Sequence, residues 1–148
     1  MSLAENKKAR LEYEILETFE AGLILSGPEV KAVRKGQVDL KGSYAEVNAN
    51  GEAYLINCYI APYKPASLLQ KNYSPNQLRK LLLTKKELRF LMGKQKEKGL
   101  AIIPLEIFLK NNYLKVKIAV ARGKKKFDKR ESIKKREFER RKQKLINN

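Results

Sequence analysis

The last 27 residues, 122–148, place the tightest limit on how this chain can fold. They contain 13 Lys and Arg against 4 Asp and Glu, and so carry +9 of the formal net charge of +17. A charged side chain is costly to remove from water unless it finds a partner, so these residues cannot form a packed core element. We therefore predict that the segment lies in water or against a polyanion, and that the core is built from the residues before it.

The order of residues within this basic segment predicts a helix that forms only on binding. From Ser132 onward the segment has strong helix formers and neither glycine nor proline. Its apolar side chains are too few to hold a helix on a protein core, so we expect residues 123–148 to be disordered in the free protein. The alternative is a solvated charged tail with no specific task. From Ser132 onward the apolar residues are Ile133, Phe138, Leu145 and Ile146.

The composition of the whole chain favours one folded domain that meets a polyanion. The 148 residues are 43% hydrophobic, and the net charge points to nucleic acid or an anionic membrane surface. There is no run of about 18 apolar residues to span a bilayer, and the start lacks the apolar stretch of a secretory signal. A single cysteine, Cys58, suits a reducing cytosol. We predict a cytoplasmic protein in which Cys58 is a small buried hydrophobic side chain.

The chain has no histidine, and this argues against several classes of enzyme. Histidine-based acid–base chemistry, Ser-His and Cys-His nucleophile pairs and most zinc sites all require it. No glycine-rich phosphate loop is present either. Carboxylates or lysines could still support catalysis, but no pattern points to it. We predict a protein that is not an enzyme and that holds no metal and no cofactor.

Capping and turn signals divide the body into short elements. Residues 1–10 are polar and are expected to be flexible. The pattern of residues 11–25 predicts a strand. Glu20-Ala21-Gly22 should interrupt it with a bulge or bend, where the backbone can approach another element. Ser26 and Glu29 have the spacing of a capping box and predict a short helix after them.

Two hairpins are predicted from asparagine-containing turns. Asn50-Gly51 is the strongest short hairpin signal and joins residues 38–48 to residues 52–60. Asn111-Asn112 joins two further strands. Several short antiparallel strands favour a small closed barrel, although the pattern alone does not separate a barrel from a sandwich. One face of the second strand in the first hairpin is expected to contain Tyr54, Ile56, Cys58 and Ile60.

The strongest helix of the chain is predicted at residues 84–98. Thr84 and Glu87 form a second capping-box pattern at its start, and Gly99 suits its end. The apolar run before it, residues 81–83, is a strand or a linker. The helix face expected in the core contains Leu88, Leu91, Met92 and Gln95.

The last strand predicts a basic surface. Its apolar residues alternate with Lys115 and Lys117, so both lysines should lie on its outer face. We expect a continuous basic stripe that runs from this strand into the tail through Lys115, Lys117, Arg122, Lys124 and Lys125.

Residues 121–137, ARGKKKFDKRESIKKRE, resemble the signature of small protein B, the SsrA-binding (tmRNA-binding) protein family of bacteria. Shorter matches occur in the same order along nearly the whole chain, at NKKAR (6–10), FEAG (19–22), GPEVKAVR (27–34), RKLLL (79–83) and KVK (115–117). The segment NYSPNQ (72–77) departs from the family pattern and has one cation fewer, so a nucleotide contact from this loop is in doubt.

The resemblance implies a fold and an RNA partner. The fold would be mainly β (α+β), with residues 11–122 forming a small OB-fold-like antiparallel β-barrel with flanking helices. The barrel would bind the tRNA-like domain of tmRNA (SsrA RNA). Glu20 could accept from a base amino group or orient a lysine; Leu82, which by its sequence alone favours a core position, would be an exposed contact. The implied RNA-binding residues are Glu20, Leu82, Lys115, Lys117, Arg122, Lys124 and Lys125.

The resemblance implies a later role for the tail on a stalled ribosome. There it would become helical in the empty mRNA channel next to the small-subunit decoding centre, during trans-translation, which tags the nascent chain. Elongation factor Tu, accompanying alanyl-tmRNA, is a further implied partner; no membrane is. The residues implied in this step are Asp128, Lys129, Arg130, Phe138, Leu145 and Ile146.

Two other functions remain open from the residues themselves. A general RNA-binding or ribosomal protein of OB type would also carry a basic tail. An enzyme acting on nucleic acid is the third hypothesis, and the absence of histidine and of paired acidic clusters argues against it.

Overall fold

The computed structural model describes residues 2–66 and 71–124. Nine strands and three helices occur in these residues. In chain order they are β1 (Ser2–Glu5), α1 (Lys7–Glu12), β2 (Tyr13–Leu23), α2 (Gly27–Arg34), β3 (Val38–Asp39), β4 (Tyr44–Val47), β5 (Ala53–Ile56), β6 (Tyr59–Ile60), β7 (Arg79–Leu82), α3 (Lys85–Gln95), β8 (Leu100–Lys110) and β9 (Tyr113–Gly123).

Six strands close into an antiparallel barrel. The hydrogen-bonded order is β8-β4-β5-β7-β2-β9, and β9 pairs with β8 to complete the ring. Short strands β3 and β6 form a separate pair. The barrel interior is filled by alternate residues of every strand, among them Ala21, Leu55, Ile107, Val116 and Ile118. The prediction of a mainly β fold with an antiparallel barrel and flanking helices is therefore confirmed.

Residues 2–10 belong to the folded body, which differs from the expectation of a flexible segment at 1–10. Strand β1 pairs with β8, and α1 packs on the outside of the barrel through Ala9. Asn6 is buried and caps α1 by accepting from the Ala9 N–H at 3.2 Å. Its side-chain amide also donates to the Pro104 carbonyl at 2.9 Å and to the Leu40 carbonyl at 3.3 Å. One buried asparagine thus ties a polar segment to two distant elements.

Strand β2 is continuous through Gly22, contrary to the predicted interruption. Its register against β9 shifts between Ile15 and Glu17 instead, so the irregularity lies at Leu16. The expected close approach at Gly22 is present: a Cβ added there would lie 3.2 Å from the Cβ of Leu82 on β7.

The first predicted hairpin is present, but the residues farther from its turn form a separate pair of strands. Strands β4 and β5 pair around the Asn50-Gly51 turn, while β3 and β6 form their own pair. Asn57 has a φ of 59°, and this left-handed residue reverses the alternation between β5 and β6. Leu55 therefore points inward with Cys58, and the prediction that Tyr54 and Ile56 share the face of Cys58 is wrong.

Both predicted capping boxes are present. The Ser26 hydroxyl and the Glu29 carboxylate cap α2 reciprocally, and Thr84 and Glu87 do the same at α3. In α3 the predicted inner face is confirmed, with Leu91 1% exposed and Leu88, Met92 and Gln95 half-buried. The turn at Asn111-Asn112 has positive φ at both residues, as a tight hairpin requires.

A buried ion pair joins α2 to the barrel. The Arg79 guanidinium lies 2.7 Å from the Glu29 carboxylate, and their side chains are 1% and 4% exposed. Arg79 also donates to the Tyr73 hydroxyl at 2.7 Å and to the Cys58 carbonyl. Burial raises the pKa of Glu29, but hydrogen bonds from Ser26 and Arg79 and the Arg79 charge outweigh it and hold the pKa below its ordinary value.

This network also explains the loop that departs from the family pattern. The Tyr73 hydroxyl donates to the Ile60 carbonyl at 2.9 Å, and the Gln77 amide donates to Glu29 at 3.4 Å. Two of the six residues at 72–77 therefore turn toward the body. The loop contributes to the packing of α2, a role that its sequence did not indicate.

Candidate nucleic-acid interface

The outer face of strands β7, β2, β9 and β8 brings several of the predicted residues together. Leu82, Gly22, Lys115 and Phe108 are successive cross-strand partners, so they form one row across the four strands. A second row contains Glu20, Lys117 and Glu106. Directly opposite residues project to the same side of a sheet. We call this surface the sheet face; it contains Leu82, Lys115, Phe108, Glu20, Lys117, Glu106 and Lys110.

Leu82 lies on the surface because strand alternation buries its neighbour. Leu81 is 2% exposed and fills the barrel, while Leu82 is 53% exposed. The absence of a side chain at Gly22 lets Leu82 pack close to the sheet beside Lys115. The sequence preference for a core position is therefore wrong, and the exposed position implied by the resemblance is the one observed.

Glu20 forms an ion pair with Lys110, a residue that the sequence did not indicate as part of the site. The Lys110 ammonium lies 3.0 Å from the Glu20 carboxylate, and both side chains are about half exposed. The pair crosses β9 diagonally, since the cross-strand partners are Lys117 for Glu20 and Tyr113 for Lys110. An exposed ion pair of this kind contributes little free energy. An RNA group that binds here can therefore replace either partner. The alternation of residues along β8 puts Lys110 on the outer face of the strand, but only the fold shows that its side chain reaches Glu20.

The two lysines of β9 have different surroundings. Lys117 lies between Glu20 and Glu106 on the neighbouring strands, whereas Lys115 lies between Gly22 and Phe108. Carboxylates on both sides compete with a phosphate for Lys117. Lys115 has an apolar neighbour on one side and an open backbone on the other, so it is the better phosphate ligand of the two.

The predicted continuous basic stripe is interrupted. The face that holds Lys115 and Lys117 continues along β9 with Ala119 and Ala121, which are buried beneath α1. Alternation puts Arg122 on the opposite face, about 16 Å along the strand from Lys117. The prediction ignored the N-terminal helix, which covers the middle of the stripe.

Arg122 and Lys124 are exposed at the end of the barrel, where the chain leaves the body. The Lys124 N–H donates to the Glu12 carbonyl at 2.9 Å, which fixes the exit beside α1. The remaining predicted site residues lie outside the described residues. They are Lys125, Asp128, Lys129, Arg130, Phe138, Leu145 and Ile146.

The sheet face has side chains that suit contacts with RNA. Its lysines can contact phosphates, Leu82 and Phe108 can pack on a base or ribose, and Glu20 can accept from an amino group or a 2′-hydroxyl.

Among residues 2–66 and 71–124 no cluster of acidic, Cys or His side chains could hold a metal ion. Burial raises the pKa of the Cys58 thiol to about 11, which keeps it protonated and unreactive. Within the same part of the chain no helix has the length and apolar character to cross a membrane.

Comparisons with known proteins agree along almost the full chain. The sequence model of the family described as SmpB protein matches residues 3–148. The SsrA-binding protein of Persephonella marina is 53% identical over 138 residues, which cover 93% of this chain and 89% of that protein. The SsrA-binding protein of Aquifex aeolicus is 52% identical over 143 residues, with the same shares of both chains.

A solved structure described as "tmRNA-SmpB: a journey to the center of the bacterial ribosome" contains a similar chain. The two chains are 50% identical and superpose with a TM-score of 0.70, over 85% of this chain and 87% of that one.

Proposed function

The chain belongs to the SmpB protein family, and from this we propose that it is an RNA-binding factor that binds the tRNA-like domain of tmRNA and brings it to stalled ribosomes. The observation that carries the RNA contact is the sheet face. It joins an exposed leucine, an available lysine and a carboxylate within two rows of one sheet. Folded RNA is recognised through its shape, its phosphates and its 2′-hydroxyls, and this set of side chains suits all three.

The tail supplies the second part of the proposal. Residues 123–148 would be disordered in the free protein and would become helical in the empty mRNA channel beside the small-subunit decoding centre. A helix with cations on most sides suits a channel walled by RNA, because each neutralised phosphate releases counterions. Asp128, Lys129 and Arg130 would act at this step, and Phe138, Leu145 and Ile146 would supply apolar contacts.

The remaining parts of the proposal concern partners and place. The factor acts by binding and not by catalysis, in the cytoplasm where ribosomes translate. Elongation factor Tu would join the complex through alanyl-tmRNA. Residues 2–10 are part of the folded body, so the RNA-binding domain would include them together with residues 11–122.

Binding to the tRNA-like domain tests the proposal directly. The full chain should bind this RNA more tightly than a duplex RNA of equal length at the same salt concentration. Lys115→Ala should weaken this binding several-fold and reduce the slope of log K against log salt by about one. Lys35→Ala removes an exposed lysine on the C-terminal side of α2 and is the matched control. Equal affinity for both RNAs would instead support a general RNA-binding protein.

A charge exchange tests Glu20 and Lys110. Glu20→Lys alone should weaken binding by removing the acceptor, and Lys110→Glu alone should do so by removing the cation that orients it. If the two side chains matter only because they pair with each other, the double variant Glu20→Lys with Lys110→Glu should regain the RNA affinity of the natural chain. If Glu20 itself contacts the RNA, the double exchange stays weak, because the acceptor has moved to the other strand. The second result is the one that the proposal predicts.

A further inference from the structure

The turn between β4 and β5 contains a pair of groups that can react with each other. Asn50 is exposed, and it is the only asparagine of the sequence that a glycine follows. The backbone nitrogen of the next residue can attack the amide carbon of an asparagine side chain. Glycine hinders this attack least, because it has no side chain and its backbone rotates freely. Asn50 is therefore a candidate for spontaneous deamidation.

Deamidation at Asn50 requires no enzyme and no reactant other than water. The Gly51 nitrogen loses its proton and forms a bond to Cγ of Asn50, the bond from Cγ to the amide nitrogen breaks, and ammonia leaves with a proton from the solvent. Water then opens the five-membered succinimide. Cleavage of the new bond to Cγ gives aspartate. Cleavage of the original peptide bond gives isoaspartate, in which the main chain passes through the former side chain and is one methylene longer.

The folded turn keeps the attacking nitrogen in a hydrogen bond. The Gly51 N–H donates to the Asn48 carbonyl at 3.0 Å, so its proton is harder to remove. Gly51 has a φ of 79°, the left-handed conformation that this tight turn requires. For the attack, the hydrogen bond must break and the peptide plane between Asn50 and Gly51 must rotate. The closed turn therefore opposes the reaction.

The Asn48 side chain stabilises the closed turn. Its Oδ1 atom accepts from the Asn50 N–H at 3.0 Å and from the Glu52 N–H at 2.9 Å. The Asn48 N–H donates to the Glu52 carbonyl at 2.8 Å, which closes the base of the turn. Exposed turns open locally at a lower free energy than the whole fold. The two side-chain hydrogen bonds of Asn48 should therefore determine how often the Gly51 nitrogen is free to react.

Glu52 connects this turn to the outer surface of β7. Its carboxylate accepts from the Tyr54 hydroxyl at 3.0 Å and pairs with the Lys80 ammonium at 3.5 Å. Deamidation of Asn50 would add a negative charge two residues away from Glu52. The extra methylene of isoaspartate would also move the Glu52 N–H away from its acceptor on Asn48. The reaction should therefore loosen this end of the β4–β5 hairpin.

We propose that Asn50 is a modification site of this protein, where deamidation gives aspartate and isoaspartate and proceeds through local opening of the turn. Asn48 has a protective role in this reaction, since its hydrogen bonds keep the turn closed. The rate at Asn50 then follows the stability of this turn and not that of the whole fold. This site is separate from the RNA-binding roles of the barrel and the tail.

Ageing of the full chain at mildly alkaline pH measures the reaction, because the attacking nitrogen then loses its proton more readily. Peptide mapping by mass spectrometry locates deamidation, and methylation by an isoaspartyl methyltransferase measures isoaspartate. Among the asparagines of residues 2–66 and 71–124, Asn50 should be modified fastest. The folded chain should react more slowly at Asn50 than the same chain unfolded in urea. Asn50→Gln should remove the signal from this turn.

Substitutions at Asn48 test the protective role. Asn48→Ala should raise the rate at Asn50 by roughly 2- to 12-fold for each of the two hydrogen bonds lost. Asn48→Asp keeps an oxygen acceptor and should age like the natural chain. Ile118→Val is the matched control: Ile118 is fully buried on β9, so its loss of a methylene destabilises the whole fold by about as much as one hydrogen bond. This control should leave the rate at Asn50 unchanged.

Three outcomes would overturn the proposal. They are modification of Asn50 as fast in the folded chain as in urea, equal rates in Asn48→Ala and the natural chain, and an acceleration by Ile118→Val as large as that by Asn48→Ala.

Discussion

Removing one partner of the buried Arg79–Glu29 pair should destabilise the fold strongly. Arg79→Met leaves the Glu29 carboxylate buried with the Ser26 N–H as its remaining backbone donor, while the Arg79 hydrogen bonds and charge are lost. Breaking a buried pair in this way costs about 3–5 kcal/mol, because a charge stays in a poorly solvating site. This is a large fraction of the stability of a typical small domain, about 5–15 kcal/mol.

The pH dependence of the free energy of unfolding provides a second test of the Arg79–Glu29 pair. In the natural chain the pKa of Glu29 is lowered, so its contribution to stability is present above pH 4.5 and is lost as the pH falls through the folded-state pKa. In Arg79→Met the hydrogen bond and the charge of Arg79 no longer lower the pKa of Glu29, while burial, the largest single cause, still raises it, so this pKa should lie higher than in the natural chain. The variant should therefore lose less stability than the natural chain as the pH falls below 4.5.

Urea unfolding followed by circular dichroism at several pH values between 7 and 3 measures both effects. Lys80→Met is the matched control: Lys80 is adjacent in β7 but pairs with Glu52 on the surface at 3.5 Å, so its loss should have a much smaller effect. The double variant Glu29→Leu with Arg79→Met removes both charges and should be more stable than Arg79→Met alone. An effect of Arg79→Met no larger than that of Lys80→Met, or the same pH trend as the natural chain, would refute this reasoning.

Two further predictions concern particular positions. Gly22→Ala should displace Leu82 by a few tenths of an ångström, since the new Cβ would lie 3.2 Å from the Leu82 Cβ, and should weaken tmRNA binding more than Gly27→Ala, where a Cβ meets nothing within 4 Å; equal affinities in a binding titration would contradict this. Because the pKa of Cys58 rises to about 11 on folding, its contribution to stability is present below its ordinary pKa of 9 and is lost as the pH rises toward 11. Cys58→Ala should therefore flatten the fall of the urea midpoint between pH 8.5 and 10.5; an unchanged slope would contradict this.

Local signals in the sequence were sufficient for most elements. Both capping boxes place a Ser or Thr three residues before a Glu, and each begins a helix in the structure. The turns at Asn50-Gly51 and Asn111-Asn112 join paired strands as predicted. In each case the determinants lie within four residues of one another, so the sequence contains them directly.

The errors share a cause, which is that distant elements decide them. Asn57 adopts a positive φ, with its side-chain amide donating to the distant Gly42 carbonyl at 3.2 Å, and this residue puts Tyr54 and Ile56 on the other face from Cys58. Asn6 donates to the carbonyls of Pro104 on β8 and of Leu40, so residues 2–10 belong to the folded body although they are mostly polar. The sequence did not indicate that Arg79 is buried, because its partner Glu29 lies 50 positions earlier in the chain.

The candidate site was predicted in part for the same reason. Alternation in β9 correctly placed Lys115 and Lys117 outward, because period two is a property of the strand itself. The prediction that a basic stripe continues beyond these lysines was wrong, because α1, from the far end of the chain, covers Ala119 and Ala121. The Glu20–Lys110 pair joins residues on strands that are brought together only by β9 between them.

Removal of residues 131–148 tests most directly the central claim that the body binds tmRNA while the tail acts on the ribosome. The truncated chain and the full chain are compared in two assays, binding to the tRNA-like domain at several salt concentrations and tagging of nascent chains on stalled ribosomes. We predict nearly unchanged affinity and salt dependence, together with complete loss of tagging. A loss of RNA affinity as large as the loss of tagging would contradict the division of roles between barrel and tail.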